Sequence, residues 1–429
     1  MTMRVLLLAN DCNPDWPSLP VVGYNACRGI AEHVDVVVAT HVRNTENIEK
    51  KGFGKAKVEY IDNEYIASPM YKAATMLRGG SAVGWTTNIA MQYPPYLAFE
   101  YEVWKRFAKQ LKAGEFDLVH RVTPMSPTLP SPLAKWLKKI NVPFVLGPLN
   151  GGLRWPPEFT GELKKEKEGL TYLRDAYKWL PYARSTYSKS SAILAAFQHT
   201  IERLPDADRD RMIDFPEVGI DPTLFEAPPE RPVQPQVTFL YAGRLVPYKC
   251  PDVAVRAMAQ NANLQKHKLI VAGEGPEMPL LAGIVKDFHL ENCVELIGRR
   301  TQAEIGQLMR SADIFAFPSI RELGAGVVVE AMATGLPCIV VDYGGPGGLI
   351  HQNSGVKISL GSKDHLVAQF ASEMEALAND PVRRQELGRQ AREDAVRIYD
   401  WTAKGKKTVE VYDWVLGRSS VKPNFYSNG

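Results

Sequence analysis

The stretch Ser319–Gly345, SIRELGAGVVVEAMATGLPCIVVDYGG, decides how the chain is read. The strand-like run ADIFAFPSI leads into it, and the turn Leu323-Gly324-Ala325-Gly326 divides it. A helix-like segment from Val327 and a second apolar run ending in Gly344-Gly345 complete it. The order is strand, loop, helix, strand. Two carboxylates, Glu322 and Glu330, stand eight positions apart around the turn. In an open parallel sheet that junction is where ligands sit, because the first turn of a helix leaves N–H groups without intrahelical partners.

Working outward, strand alternates with helix. Val237–Ala242, Lys268–Gly273, Val294–Gly298 and Ile314–Phe317 read as strands. Pro251–Gln260, Pro279–Phe288 and Ala303–Arg310 read as helices. Such alternation predicts a doubly wound parallel sheet. Its strand ends share one edge, and they bring Gly243-Arg244-Leu245 with Lys249, Gly273-Glu274-Gly275, Gly298-Arg299-Arg300, the Glu322 loop and Asp342. Arg and Lys pair with phosphate, carboxylates accept hydrogen bonds from sugar hydroxyls, and glycines let backbone approach a ligand. Each item alone has a plainer reading: a solvated Arg, a Gly-x-Gly turn, Glu322 as a helix cap. Glu330 is less plain, since it sits in the apolar run Val327–Ala333 and needs a partner there. Joint placement on one edge suits a nucleoside-diphosphate sugar.

Further along, 363–398 reads as helical with a start at Pro381, Trp401–Trp414 as a last helix, and Val421–Gly429 as a loose tail. The first half carries a second α/β series. Arg4–Asn10 is a near-continuous apolar run of strand length, Gly23–Glu32 a helix and Val34–Thr40 a strand. The loop Asp11–Pro20 lacks GxGxxG, so it offers no dinucleotide site but can line an acceptor cleft. Residues 45–100 read as helices and loops, Tyr96–Leu111 as a firm helix. The strands Phe116–His120, Pro143–Leu146, Ala192–Ala196 and Phe215–Ile220 follow. Five prolines between Pro222 and Pro235 mark a linker. The expected division is 1–225, a linker 226–236, a second domain 237–395, and a helix and tail 396–429. Two segments keep two readings each. Leu163–Ala183 is a solvated helix packing one face, or an interfacial helix on anionic lipid. Asp206-Ala-Asp208 is a solvated turn, or the D-x-D pair with which some glycosyltransferases hold a metal. It does not end a strand and is followed by Arg209-Asp210-Arg211, which favours the turn.

The second half resembles the retaining glycosyltransferases of the GT-B fold, the group 1 or family 4 type that includes sucrose synthases and bacterial mannosyltransferases. The resemblance is close over Val237–Ile350. It is looser in the first half, through Phe116–His120, the Gly147–Gly152 turn and Val218–Asp221. Its most specific mark is the E-x7-E pair, Glu322 and Glu330. The resemblance implies two Rossmann-like domains facing across a cleft, with the last helix returning to the first domain. It implies that Arg244 and Lys249 neutralise the diphosphate and that Glu330 holds the ribose. Glu322 would contact the donor sugar, with backbone N–H groups of Gly324 to Val327 on sugar and phosphate. Arg299 would lie beside the base, with Glu274 and Leu323 in the same donor set, and His120 near the donor sugar. Where the family keeps a glycine, three places after the first glutamate, this chain has Ala325. The paired glycines of its N-terminal loop are replaced by Ser18-Leu19-Pro20 and a lone Gly23.

The expected activity is sugar transfer to an acceptor hydroxyl with retention, without metal or other cofactor. The partners are a nucleotide-sugar donor and a carbohydrate or lipid-linked acceptor. Polysaccharide or glycolipid synthesis is the expected setting. A nucleotide-sugar epimerase on the same frame and a catalytically silent binding protein remain open. Detection of transfer, of isomerised donor or of binding alone separates the three. The totals agree with this class. The 429 residues fit two domains, with 45% hydrophobic and 23% charged content. A net charge of +3 argues against wholesale nucleic-acid binding. Five scattered cysteines form no zinc spacing and suit a reducing cytoplasm. The first residues read as a buried strand and not a signal peptide, and no 18-residue apolar stretch is present. A cytoplasmic protein is expected, with peripheral contact at the inner membrane face if Leu163–Ala183 meets lipid.

Overall fold

The computed structural model describes residues 3–77, 85–165, 177–228, 234–351 and 353–426. Of the stretches read above, 78–84 within 45–100, 166–176 of the Leu163–Ala183 segment, 229–233 of the proline-rich linker, and 427–429 of the tail lie outside the described residues. The chain divides into two compact units. One comprises Met1–Gly152, Lys167–Glu217 and Trp401–Gly429, the other Leu153–Glu166 and Val218–Asp400.

The first unit holds seven parallel strands: β1 Arg4–Ala9, β2 Asp35–His41, β3 Lys57–Ile61, β4 Leu118–Thr123, β5 Phe144–Leu149, β6 Ala192–Ala195 and β7 Met212–Asp214. Their order is β3-β2-β1-β4-β5-β6-β7, so the winding reverses between β1 and β4. β1 is buried along nearly its whole length, which is why its sequence shows an apolar run and no alternation. Leu6 and Leu8 of β1 join Val37, Phe99, Val119 and Phe144 in the core.

Helix Trp401–Val415 returns to this unit and packs on helix Leu19–Ala31 at a glycine crossing. A Cβ on Gly29 would come 2.1 Å from the Trp401 carbonyl oxygen, and one on Gly405 2.0 Å from that of Gly29. The described part of the tail, which ends at Tyr426, is not loose. Phe425 is buried, with its ring centroid 4.5 Å from that of Phe215, and the Lys404 ammonium lies 4.7 Å from the Phe425 ring.

Two further expectations change. The last strand is Met212–Asp214 and not Phe215–Ile220. The Phe215 N–H makes the final rung, to the Ala195 carbonyl at 2.9 Å, and Pro216 has no N–H to continue it. Within 45–100, Lys57–Ile61 is a true strand, and the helix expected from Tyr96 begins at Trp85 and runs through Pro94-Pro95.

The second unit is a six-stranded parallel sheet. Its strands are β8 Thr238–Ala242, β9 Lys268–Ala272, β10 Val294–Gly298, β11 Ile314–Phe317, β12 Cys338–Val341 and β13 Gly355–Ile358. The order is β10-β9-β8-β11-β12-β13, all pairs parallel, with the reversal between β8 and β11. The fold class is thus the expected one: two doubly wound α/β domains of the GT-B kind, with the last helix belonging to the first. Among the described residues, no helix is long and apolar enough to cross a membrane.

Candidate functional site

Because β8 and β11 are neighbours, the loops that leave them run side by side at the switch point of the second sheet. The Ile320 N–H donates to the Tyr248 carbonyl at 3.0 Å and the Ser319 hydroxyl to the same oxygen at 3.3 Å, joining the two loops. Lys249 closes the 3-10 turn Pro247–Lys249, and Cys250 (φ 45°) turns the chain into helix Pro251–Gln260. The Lys249 ammonium, buried at 7% exposure, lies 2.6 Å from Glu322 Oε1 and 5.2 Å from the Phe317 ring centroid. Arg244 is exposed, and its guanidinium donates to the Tyr248 hydroxyl at 2.6 Å.

Glu322 is braced from behind. Its carbonyl accepts from the Gly345 N–H at 2.8 Å, and a Cβ on Gly344 would meet the same oxygen at 2.5 Å. Residues 153–166 belong to this unit and add a second brace: the Arg321 guanidinium stacks 4.9 Å from the Trp155 ring, and the Tyr343 hydroxyl donates to the Arg154 carbonyl at 2.8 Å. Leu323, Gly324, Ala325, Gly326 and Val327 form the turn into helix Gly326–Ala333. Ala325 adopts the left-handed conformation, φ 56°, ψ 52°.

Glu330, on that helix, is half-buried, and burial pushes its carboxyl up to about 7. The Gln302 amide, donating to Oε1 at 3.3 Å, opposes the shift. At the ends of β9 and β10, Glu274 and Arg299 are exposed and 3.4 Å apart. The sheet thus brings Lys249, Glu322 and the turn together, with Arg244 and Glu330 on the flanking elements and the Glu274–Arg299 pair at the ends of the outer strands. Gly273 and Gly275 do not clear space for a ligand. A Cβ on each would come 1.9 Å from the Gly243 carbonyl oxygen and 2.3 Å from that of Leu245, so they admit the end of β8.

His120 is placed differently from expectation. It is 1% exposed on β4, in the first unit. Nε2 lies 2.6 Å from the Gly147 carbonyl and Nδ1 2.6 Å from the Tyr412 hydroxyl. A carbonyl only accepts, so Nε2 donates to Gly147 and Nδ1 accepts from Tyr412. Burial lowers the imidazole to about 4, so the ring stays neutral. Both ring nitrogens are hydrogen-bonded inside the fold, and the pair of bonds ties the returning helix to the sheet.

The first unit's own switch point holds a cavity of about 300 Å³. Asn10 and Asp11 after β1, His41, Arg43 and Asn44 at the end of β2, and Asn63 after β3 line it, with Trp16 and Tyr71 at its side. Apart from the Asp11 loop, these residues were missed in the sequence. The alternation in Lys57–Ile61 was the signal that could have found β3 and the polar residues beyond it. Asp206 and Asp208 lie in a 3-10 turn, each ion-paired with the arginine three residues on, Asp206 with Arg209 at 2.7 Å. Among the described residues, no three His, Cys, Asp or Glu side chains cluster as a metal site.

Residues 225–394, within the second unit, match the family model of the glycosyl transferases, group 1. A D-inositol 3-phosphate glycosyltransferase of Kineococcus radiotolerans is 29% identical over 230 residues, 48% of this chain and 52% of that protein. The chain spans about half the length of the curated relatives it matches. Among solved structures, Anabaena Alr3699/HepE in complex with UDP and glucose superposes with a TM-score of 0.58 at 19% identity, over 96% of this chain and 99% of that one. Sucrose-phosphate synthase from Thermosynechococcus elongatus gives 0.63 at 15% identity, over 97% and 100%. At these identities the structural likeness is one of fold.

Proposed function

We propose that the chain is a glycosyltransferase that moves a sugar from a nucleoside-diphosphate sugar to an acceptor hydroxyl with retention of configuration. The observation that carries the reading is the buried Lys249–Glu322 pair at the β8/β11 switch point, 2.6 Å apart. The group 1 match over 225–394 and a structural neighbour solved with UDP and glucose support it.

In this scheme the ammonium of Lys249, the guanidinium of Arg244 and the N-terminus of helix Gly326–Ala333 meet the diphosphate. Glu322 fixes Lys249 and reads sugar hydroxyls, and Glu330 accepts from the ribose. Glu274, Leu323 and Arg299 complete the donor set. Charge develops on the β-phosphate as the bond from the anomeric carbon to its oxygen breaks. The acceptor oxygen bonds to that carbon on the same face, and its proton passes to the departing phosphate oxygen. Two cations serve where other transferases use a metal, so none is required. The product belongs to polysaccharide or glycolipid synthesis in the cytoplasm.

A thermal-shift screen of nucleotides and nucleotide-sugars identifies the donor, since a ligand that binds only the folded state raises the melting temperature. With that donor, turnover is expected to persist in excess EDTA and the product to keep the donor's anomeric configuration. Strict metal dependence or an inverted product would overturn the scheme.

A further inference from the structure

We propose that the segment Leu153–Glu166 is a strap that sets the Lys249–Glu322 pair, with Trp155 and Glu162 as its positioning residues. The chain leaves the first unit at Gly152, runs through the second unit as this segment and rejoins the first at Lys167. Among its described residues it adds no strand to the sheet, yet Leu153 and Phe159 are 3% and 1% exposed. Buried side chains of that kind fix a connection that would otherwise be among the mobile parts of the fold.

The strap meets both loops of the pair. At its start, the Trp155 ring stacks on the guanidinium of Arg321, 4.9 Å away, and Arg321 immediately precedes Glu322. The Arg154 carbonyl accepts from the Tyr343 hydroxyl at 2.8 Å, and Tyr343 leads into Gly345, whose N–H holds the Glu322 carbonyl. Leu153 fills the space at Gly344, where a Cβ would come 2.7 Å from its Cδ2. At its end, helix Thr160–Lys165 packs on the turn Pro247–Lys249. Glu162 of that helix lies 2.8 Å from the Lys363 ammonium, which in turn lies 3.2 Å from Asp252 Oδ2. Asp252 is 2% exposed, in the first turn of helix Pro251–Gln260 that follows Lys249. One end of the strap therefore bears on the loop of Glu322 and the other on the turn of Lys249. The two loops leave different strands, and the bonds from Ile320 and Ser319 to the Tyr248 carbonyl stop just short of the charged side chains. The strap adds a second link, through side chains. Such support matters because a buried ion pair stabilises only in good geometry, and a misplacement of about 1 Å can cost about 100-fold in rate. The consequence for turnover rests on the transferase reading above; the setting of the pair does not.

The test acetylates the full chain with N-hydroxysuccinimidyl acetate and follows Lys249 and Lys404 by mass spectrometry. Lys404, 4% exposed in the first unit, reports general loosening. Trp155→Ala is expected to speed Lys249 labelling about fivefold and Glu162→Ala about threefold, with Lys404 within about twofold of wild type. With a donor that the wild type turns over, Trp155→Ala should lower kcat about 10- to 100-fold and leave UDP affinity within about threefold. Trp155→Phe, which keeps a ring face for Arg321, should restore most of the protection and of kcat. Melting curves establish that each variant is folded, and Glu162→Ala, which removes no ring, carries the test if Trp155→Ala is not. Unchanged Lys249 labelling in folded variants, a parallel rise at Lys404, or no rescue by phenylalanine would overturn the proposal. Strap-dependent protection of Lys249 in a chain that transfers sugar from no donor would sink the transferase reading and leave the strap standing.

Discussion

After β8 the second unit presents a buried ammonium locked on a carboxylate; after β1 the first presents a carboxyl among amides and a neutral imidazole. Both places are switch points of the same doubly wound topology. The second unit spends its polar groups on one another in advance, so that Lys249 is held before any ligand arrives. The first holds its groups more loosely, with His41 Nε2 standing 3.8 Å from Glu64 Oε1. Topology thus fixes where a ligand goes, and the side chains fix which one. A preorganised cation suits a diphosphate.

The largest effect that can break this contrast is at Lys249. Lys249→Ala is expected to lower turnover about 100- to 1,000-fold, the cost of losing one donor aimed at developing charge. Circular dichroism should stay unchanged. Turnover within threefold of wild type would remove the cation from the mechanism and make the pair a merely structural bridge.

Gly405→Ala comes next and acts on the first unit only. A methyl there would sit 2.0 Å from the backbone oxygen of Gly29, and backbone yields less readily than a side chain. The expected loss is about 3 kcal/mol, the upper end for overpacking, or about 6–12 °C in the melting transition. UDP affinity in the second unit should hold within twofold. An unchanged melting temperature would show that the two helices separate freely, contrary to the close crossing.

The unequal legibility of the two sites has a physical cause. Strands β8 to β12 were readable because buried parallel strands are short apolar runs bounded by glycine or proline, and Val294–Gly298 and Ile314–Phe317 match residue for residue. The residues at their ends were readable too, since position after a strand is a local property. Their pairing was not. Lys249 and Glu322 are 73 residues apart, and nothing local announces a 2.6 Å contact. His120 shows the limit most clearly. A polar residue near a strand end looks the same whether it faces a ligand or the core, and the partner that decides, Tyr412, is 292 positions away. The first unit's cavity was hidden for the same reason. Asn63 and His41 are ordinary loop and strand-end residues until β2 and β3 pair.

A third experiment uses pH. Glu330 titrates at about 7 in the folded chain against an ordinary 4.5. With the folded value raised, the folded state holds the proton more tightly, so the stability this group contributes is fully present below 4.5 and lost as pH rises through 7. Nucleotide binding runs the other way if the carboxylate accepts the ribose hydroxyls. Affinity should fall about tenfold from pH 8 to pH 6, following the ionised fraction of a group with that pKa. Glu330→Gln should flatten the profile. A profile that Glu330→Gln leaves intact would assign the titration elsewhere.

The smallest effect concerns Ala325, which stands where the resembling family keeps a glycine. Its φ of 56° is left-handed, a conformation that costs alanine about 1–2 kcal/mol relative to the right-handed region and glycine almost nothing. Two terms oppose the gain from Ala325→Gly. Glycine gives the unfolded chain about 0.4–1 kcal/mol of extra entropy. The methyl, at 6% exposure, is buried, and its removal costs about 0.8 kcal/mol. These terms nearly cancel, so stability should change by no more than about 0.5 kcal/mol, or about 1–2 °C. That cancellation is how the turn ahead of helix Gly326–Ala333 tolerates a side chain. Ala325→Val separates the terms: a β-branched residue at positive φ is a true outlier, and its melting temperature should fall well below that of either partner. A gain above about 1.5 kcal/mol in the glycine variant would mean that the methyl contributes no packing. The turn would then be strained in a way that the second unit's otherwise preorganised edge does not share.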